Sequence, residues 1–483
     1  MRNIQLVAKI IGFLLYFEAL LMLACMCTSL YYGDDDVLSF AISTAVTSLG
    51  GLILCYYGRN AQNRLNRRDS YLVVATTWIV FSFFGTLPYI ISGYIPTFSD
   101  AFFEAMSNFT TTGLSTFNVE MPHGLIAWRS LAQWIGGLGI VFFTIAILPS
   151  FADGDVKIFA AESTGPTKNH LHPRIRTNSK WIWVMYLTLT VACSLCLYLA
   201  GMGVFDAINH SMITTATGGH SPYGDSIAHF NSASIEYVEI IFMLLSGINF
   251  TILYSVLFKW KIRQIYKNSE VKFYLGMVLC VTVVLAISFF DHYDMTVEHA
   301  VRSALFETIS VLTSTGFYSE DLSYMPEFIW IMLFFCMMSG ACSGSTSGGI
   351  KSIRVVMMLK NIRNEFRRIL HPNAVLPIRI NGEVMARTIQ PTLSAFISLY
   401  IFIVIVASLA FVAMGMHLDI AFEVTISCIS NCGPAFGPDI DAHFGWDTIP
   451  LAGKWLCSSL MLIGRLEIFS VLVIFTKGFW KDV

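Results

Sequence analysis

The chain has 483 residues, of which 55% are hydrophobic and 13% charged, with a mean hydropathy of +0.64 and a formal net charge of −2. A soluble domain carries roughly 25% charged residues, so this composition excludes an ordinary water-soluble protein. It also argues against nucleic acid as a partner, because Lys and Arg are in no excess with which to neutralise phosphates.

A membrane span needs about 20 mostly apolar residues. Taken in chain order, ten such stretches occur, near 8–31, 38–57, 71–92, 124–149, 181–202, 233–258, 272–290, 326–350, 390–413 and 449–476. The first opens on MRNIQLVAK like a targeting signal, but no small-residue cleavage site and soluble domain follow, so it reads as a retained span. Of the 30 Lys and Arg, 26 fall on Arg2, Lys9 and the connections 58–70, 151–180, 259–272, 351–389 and 477–483. Basic loops stay in the cytoplasm, which places both termini there. The remaining four are Arg129, Arg302, Lys454 and Arg465. The opposite connections carry Asp34, Asp35, Asp36, Asp100, Asp206, Asp294, Glu298, Glu320, Asp321, Asp439 and Asp441, an acidic face that would gather cations at an entrance. The 11 cysteines fall almost entirely in spans or short apolar segments. Cys193 and Cys196, inside an apolar helix, are expected to pack rather than to do redox chemistry, and no structural disulfide is expected.

The outer connections repeat. DAFFEAMSNFTTTGLS begins at Asp100, DAINHSMITTATGGHS at Asp206, SALFETISVLTSTGFYS at Ser303 and DIAFEVTISCISNCGPAFG at Asp419. Each is an apolar or amphipathic run that ends in small or polar residues and then Gly, and each lies between two spans. Glu104 to Gly113 and Glu307 to Gly316 are both 9 residues, and Glu423 to Gly433 is 10, which suggests one extra residue in the fourth copy. The unit is helix, re-entrant segment, helix, with the first two spans outside it. The expected fold is therefore all-α and integral to the membrane. Ten transmembrane helices form four helix–pore-loop–helix repeats around one central pore, plus two extra N-terminal helices. Boundaries fall at 1–70 for the N-terminal pair, then 71–150, 181–260, 272–370 and 388–483 for the repeats.

Irregular backbone at membrane depth is tolerated only where it is buried or lines water. Four such segments can meet around one axis. Gly reaches backbone conformations that a Cβ forbids, so carbonyl oxygens can turn inward and replace the hydration shell of a cation. The C-terminal ends of the short helices would add negative potential beneath. A membrane enzyme would need a paired acid and base or a metal cluster in the spans, and none is visible. Asp100, Glu104, Asp206, Glu307 and Glu423 read instead as pore-mouth and pore-helix residues.

The motifs DAFFEAMSNFTTTG (100–113), QWIGGLGI (133–140), SGINF (246–250), LTSTGF (312–317), SGACSGSTSGGIKSIR (339–354), HPNAV (371–375) and GRLEIF (464–469) resemble the Trk/Ktr/HKT superfamily of K⁺ transporters. The two extra N-terminal spans place the likeness on its Trk branch. The resemblance implies K⁺ uptake across a bacterial cytoplasmic membrane, with K⁺ as the transported ion and no organic cofactor. It implies a filter made of Thr110, Thr111, Thr112 and Gly113; Ala216, Thr217, Gly218 and Gly219; Thr313, Ser314, Thr315 and Gly316; and Ser430, Asn431, Cys432 and Gly433. Gly at all four key positions goes with K⁺ selectivity in this family, whereas Ser in the first segment goes with Na⁺ permeation in some plant members. His220 stands where Phe is commoner. No nucleotide-binding fingerprint is present in the chain, and the resemblance implies a membrane homodimer docked on a separate TrkA-like ring of cytosolic nucleotide-binding subunits.

Two further features bear on gating. SGACSGSTSGG (339–349), with Gly340, Gly344, Gly348 and Gly349, interrupts an apolar span with poor helix formers. It reads either as a close helix crossing or, by the resemblance, as an intramembrane loop beneath the filter. Arg465 lies mid-span, where a charge is costly. It is either paired with a carboxylate such as Glu467 or, by the resemblance, a positive barrier in the pore.

Overall fold

A computed structural model describes residues 3–62, 65–116, 121–139, 175–293, 295–320, 322, 325–374, 376–385, 389–433 and 446–481. Among the described residues, six helices are long and apolar enough to cross a membrane: α1 (Ile4–Tyr32), α2 (Val37–Tyr57), the run Arg68–Ser92 made of α3 (Arg67–Gly85) and α4 (Leu87–Ser92), α7 (Ile175–Leu199), α12 (Ser269–Tyr293) and α16 (Ile389–Ala413). The helix α6 (His123–Leu138) occupies the fourth predicted span. Its predicted continuation over 140–149, and most of the basic connection 151–180, lie outside the described residues.

Three predicted spans are broken rather than straight. The sixth bends by 109° between α9 (Ala233–Ser246) and α10 (Phe250–Leu257), and the tenth by 108° between α18 (Leu451–Arg465) and α19 (Phe469–Leu472) with the turn that follows it. The eighth stops at the end of α14 (Glu327–Ser339) and resumes as α15 (Ser352–Leu370). Each of the first two breaks lies in a stretch that stays apolar on average despite Asn249 in one and Arg465 and Glu467 in the other, which is why hydropathy reads them as single spans. The remaining described elements include the pore helices α5 (Phe98–Phe109), α8 (Val204–Ala216), α13 (Val297–Leu312) and α17 (Leu418–Ser430), the short α11 (Arg263–Lys267), a 3₁₀ turn over Ser226–Phe230, and a two-stranded hairpin, β1 (Arg379–Ile380) with β2 (Glu383–Val384). The hairpin is absent from the sequence reading, since two-residue strands leave no periodicity to detect.

Helices α1 and α2 form a tight antiparallel pair. The first is capped by the Asn3 side chain at Leu6 and ends on Gly33 in the left-handed region at φ 77°. The pair crosses at Gly12 and Gly51, as small residues allow in membranes: a Cβ on Gly12 would lie 2.8 Å from the Gly51 carbonyl oxygen and 2.7 Å from Cys55 Sγ. Both α1 and α2 pack in one apolar cluster with α3, α5, α6 and α18, so the N-terminal pair buttresses the first and fourth repeats. A second cluster joins α7 through α14.

Replacing Gly12 with Leu must push α1 off α2, since overpacking of this kind costs about 1–3 kcal/mol. The melting temperature of the purified protein is expected to fall, and a wild-type melting curve would contradict the close crossing.

Candidate functional site

The four pore helices end in one hydrogen-bonded turn, repeated in register. Counting back from each key glycine, the N–H of the preceding residue donates to the carbonyl five residues earlier: Thr112 to Ser107, Gly218 to Ile213, Thr315 to Ser310 and Cys432 to Ser427. The residue two before each glycine donates three back: Thr111 to Asn108, Thr217 to Thr214, Ser314 to Val311 and Asn431 to Cys428. This is the Schellman pattern, which demands a left-handed residue. Thr111, Thr217, Ser314 and Asn431 supply it at φ 53°, 53°, 55° and 51°. A non-glycine residue there costs about 1–2 kcal/mol, a strain the helix end imposes four times over. Because all four turns keep this register, the fourth copy has no insertion in its filter segment. Glu423 simply stands one place farther from its glycine than Glu104 and Glu307 do.

One residue after the turn the chain reaches Gly113, Gly219, Gly316 and Gly433, at φ 82°, 75°, 82° and 81°. These glycines touch one another around a closed ring. A Cβ on Gly113 would run into the Gly218 carbonyl, and one on Gly219 into the Thr315 carbonyl. One on Gly433 would lie 2.9 Å from the Thr112 carbonyl oxygen and 3.6 Å from the Gly316 Cα. At Gly113, Gly219 and Gly433 glycine is therefore required twice, by its φ and by the neighbouring carbonyl, and at Gly316 by its φ. The turns are buried, and hydroxyl pairs brace two of them: Thr110 with Thr112 and Thr313 with Thr315, each at 2.8 Å. In the fourth segment Asn431 Nδ2 donates to Thr112 Oγ1 and to the Met461 carbonyl, both at 2.9 Å, and Tyr400 Oη lies 2.8 Å from Ser430 Oγ. Gln133 Nε2 donates to the Gly218 carbonyl at 3.0 Å.

Behind the ring, Arg129, Arg302 and Lys454 each meet an acid. Arg129 Nε lies 3.0 Å from Glu104, Arg302 reaches Glu236 at 2.5 Å and Glu298 at 3.0 Å, and Lys454 Nζ lies 2.6 Å from Asp100. The acidic residues of the connections opposite the basic ones are therefore partly neutralised. Asp34 meets His123 at 3.2 Å and Glu320 meets His299 at 2.8 Å, while Asp294, Asp321, Asp439 and Asp441 lie outside the described residues. Glu307 accepts the Ser319 N–H at 2.8 Å, so that carboxylate fastens the strand leaving the third glycine.

The glycine-rich segment between α14 and α15 is an irregular loop, and it lies directly against the ring. Gly340, Gly344 and Gly349 are left-handed, at φ 62°, 74° and 75°, and a Cβ on Gly348 would meet the Ser430 carbonyl. Gly348 N–H donates to Ser314 Oγ at 2.6 Å, and Thr346 Oγ1 donates to the Thr215 carbonyl at 3.1 Å. From below, Ser343 N–H donates to Glu270 Oε1 at 2.5 Å, Asn249 Nδ2 to the Ser343 carbonyl at 2.6 Å, and Phe250 N–H to the Gly344 carbonyl at 3.1 Å. The loop thus rests on the breaks in the sixth and tenth spans. Arg465, at the second break, donates to the carbonyls of Thr346, Gly136 and Gly137 at 2.8, 2.8 and 2.7 Å. Glu467 lies 2.6 Å from Arg354, a different partner from the one the sequence suggested. Glu270, Asn249, Gln133, Lys351 and Arg354 were not singled out from sequence. Gln133, Asn249, Lys351 and Arg354 sit inside quoted motifs, but their partners are 85 or more residues away or reached only through the loop.

These features define a multi-pass membrane protein of the cation-transporter class. The family model for TrkH, described as cation transport protein, matches residues 39–482. The Trk system potassium uptake protein TrkH of Salmonella typhimurium is 34% identical over 486 residues, covering 99% of this chain and 100% of that one. Its namesake in Escherichia coli K12 is 33% identical with the same coverage. The crystal structure of the potassium transporter TrkH from Vibrio parahaemolyticus superimposes with a TM-score of 0.89 at 31% identity, over 99% of this chain and 100% of that one. The chain belongs to the TrkH family, a family of transporters and not of enzymes.

Arg129 and Glu104 form a pair buried behind the ring, with side chains 10% and 0% exposed. Arg129→Met leaves the carboxylate without its cation, a loss of about 3–5 kcal/mol, and is expected to cut the yield of folded protein. Adding Glu104→Gln should recover much of it. A wild-type melting temperature for Arg129→Met would contradict the pairing.

Proposed function

We propose that this chain carries K⁺ across a bacterial cytoplasmic membrane, inward, through the ring built from Thr110–Gly113, Ala216–Gly219, Thr313–Gly316 and Ser430–Gly433. The observation that carries this reading is the fourfold turn, which brings four left-handed glycines into mutual contact. Carbonyls fixed by such turns can replace the hydration shell of a cation, and the four helix C-termini converging on the ring favour positive charge. The relatives at 33–34% identity are named for potassium uptake. In the same reading both termini are cytoplasmic, the protein is a homodimer, and a TrkA-like ring of nucleotide-binding subunits docks on the basic cytoplasmic connections.

The loop 340–351 with Arg465 is the gate of this reading. Contacts from the loop and from Arg465 reach all four repeats, so a shift of the loop changes the path below every segment. Arg465 acts in two ways. Its hydrogen bonds hold Thr346 of the loop against the end of α6, and its charge opposes a resting cation. Two unit charges about 6 Å apart at an effective dielectric of about 20 repel by roughly 2.8 kcal/mol.

Gly113→Ser is expected to lower the K⁺/Na⁺ permeability ratio, because its side chain displaces the Gly218 carbonyl, and Gly316→Asp to abolish K⁺ uptake in a K⁺-uptake-deficient bacterium. Unchanged ratio and uptake in both, at normal expression, would sink the filter assignment. Arg465→Ala is expected to raise ⁸⁶Rb⁺ flux per folded molecule by about tenfold or more, the factor that about 1.4 kcal/mol represents, with selectivity kept. Lower flux from normally folded Arg465→Ala would show that the arginine is not a barrier.

A further inference from the structure

The seam between the first and second filter segments holds a buried polar bridge. After their glycines the first and third segments place Leu114 and Phe317, both buried and apolar. The second places His220, which is 5% exposed. Its Nδ1 lies 2.6 Å from Asn108 Oδ1, and Asn108 Nδ2 donates to Tyr89 Oη at 3.1 Å. An amide oxygen only accepts, so in this arrangement the proton of the bridge sits on His220 Nδ1. The other ring nitrogen faces Glu104 Oε1 at 3.7 Å, and the same carboxylate takes Arg129 Nε at 3.0 Å and Ser115 Oγ at 3.0 Å. Glu104 and Asn108 are four residues apart, on one face of α5. The imidazole therefore links the filter segment of the second repeat to the pore helix of the first, and Tyr89 holds that helix residue from behind.

We propose that the His220–Asn108 bridge is a specificity-determining strut: it fixes the spacing of the first two filter segments and so the discrimination of K⁺ over a smaller cation. This rests on the filter reading above. A ring that selects by the disposition of its carbonyls must resist contracting around Na⁺. This seam is where the Gly218 carbonyl, held by Gln133, abuts Gly113. A hydrogen bond between two side chains that are themselves buried and anchored resists that movement better than an apolar contact, which tolerates sliding. A histidine that merely fills space would leave selectivity indifferent to its partner.

The test is the K⁺/Na⁺ permeability ratio from reversal potentials of the full-length protein in liposomes, for Asn108→Leu, His220→Phe, the double variant, His220→Gln and Gly113→Ser. Each of the first two should lower the ratio about fivefold, the factor corresponding to one hydrogen bond of about 1 kcal/mol. The double should fall no further than the worse single, because both remove one interaction. His220→Gln, which keeps a donor, should retain most of the ratio. Wild-type ratios in both singles, or losses that add in the double, would overturn the strut while Gly113→Ser still loses selectivity. Should His220→Phe not fold, Asn108→Leu and His220→Gln carry the same comparison. A wild-type ratio in Gly113→Ser would remove the filter reading, and the strut with it.

Discussion

A cation on a membrane axis needs oxygen ligands, and a helix cannot offer them, because its carbonyls are engaged within the helix. The chain must therefore leave the helix at membrane depth and satisfy its freed backbone groups in some other way. Here the solution is the Schellman turn at the end of each pore helix. It ties the last carbonyls to the N–H groups of the segment that follows and turns the chain out of the helix. The cost is a left-handed Thr, Thr, Ser or Asn in each copy. The geometry then leaves room only for glycine two residues later. Much of the surrounding structure supports that arrangement. Buried carboxylates Glu104 and Glu307 fasten the strands that leave the ring, and Arg129 neutralises the first of them.

The same logic explains why the sixth, eighth and tenth spans are broken. A loop placed beneath the ring has its own backbone to satisfy. The broken ends supply partners: Asn249 and Phe250 at one bend, Arg465 at another, with Glu270 from the start of α12. The loop is thus held by a dense set of hydrogen bonds, with Ala341, Cys342 and Ile350 packed into the apolar core.

Much of this was legible in the sequence. The ten apolar stretches, the charge asymmetry and the four glycine-terminated copies are one-dimensional signals, and the glycine-rich stretch announces itself by poor helix propensity. What could not be read was of two kinds. The bends after Ser246 and Arg465 fall in windows that stay apolar on average, so hydropathy runs straight through them although Asn249, Arg465 and Glu467 stand at the breaks. The polar pairs join residues distant in sequence, such as His220 with Asn108, Glu467 with Arg354, and Arg465 with Gly136. Each looks like an isolated polar residue until the repeats are folded around one axis. The apparent extra residue in the fourth copy shows a further limit. Spacing measured from a glutamate misleads when the hydrogen-bonded turn, not the acid, sets the register.

The most direct measurement of the account is an anomalous-scattering map of the crystallised protein soaked in Tl⁺ as a stand-in for K⁺. The account predicts peaks on the axis enclosed by Thr110–Gly113, Ala216–Gly219, Thr313–Gly316 and Ser430–Gly433, reduced by competing K⁺ and not by Na⁺. A map with ordered protein and no peak on that axis, or one whose axial peaks Na⁺ displaces as readily as K⁺, would contradict it.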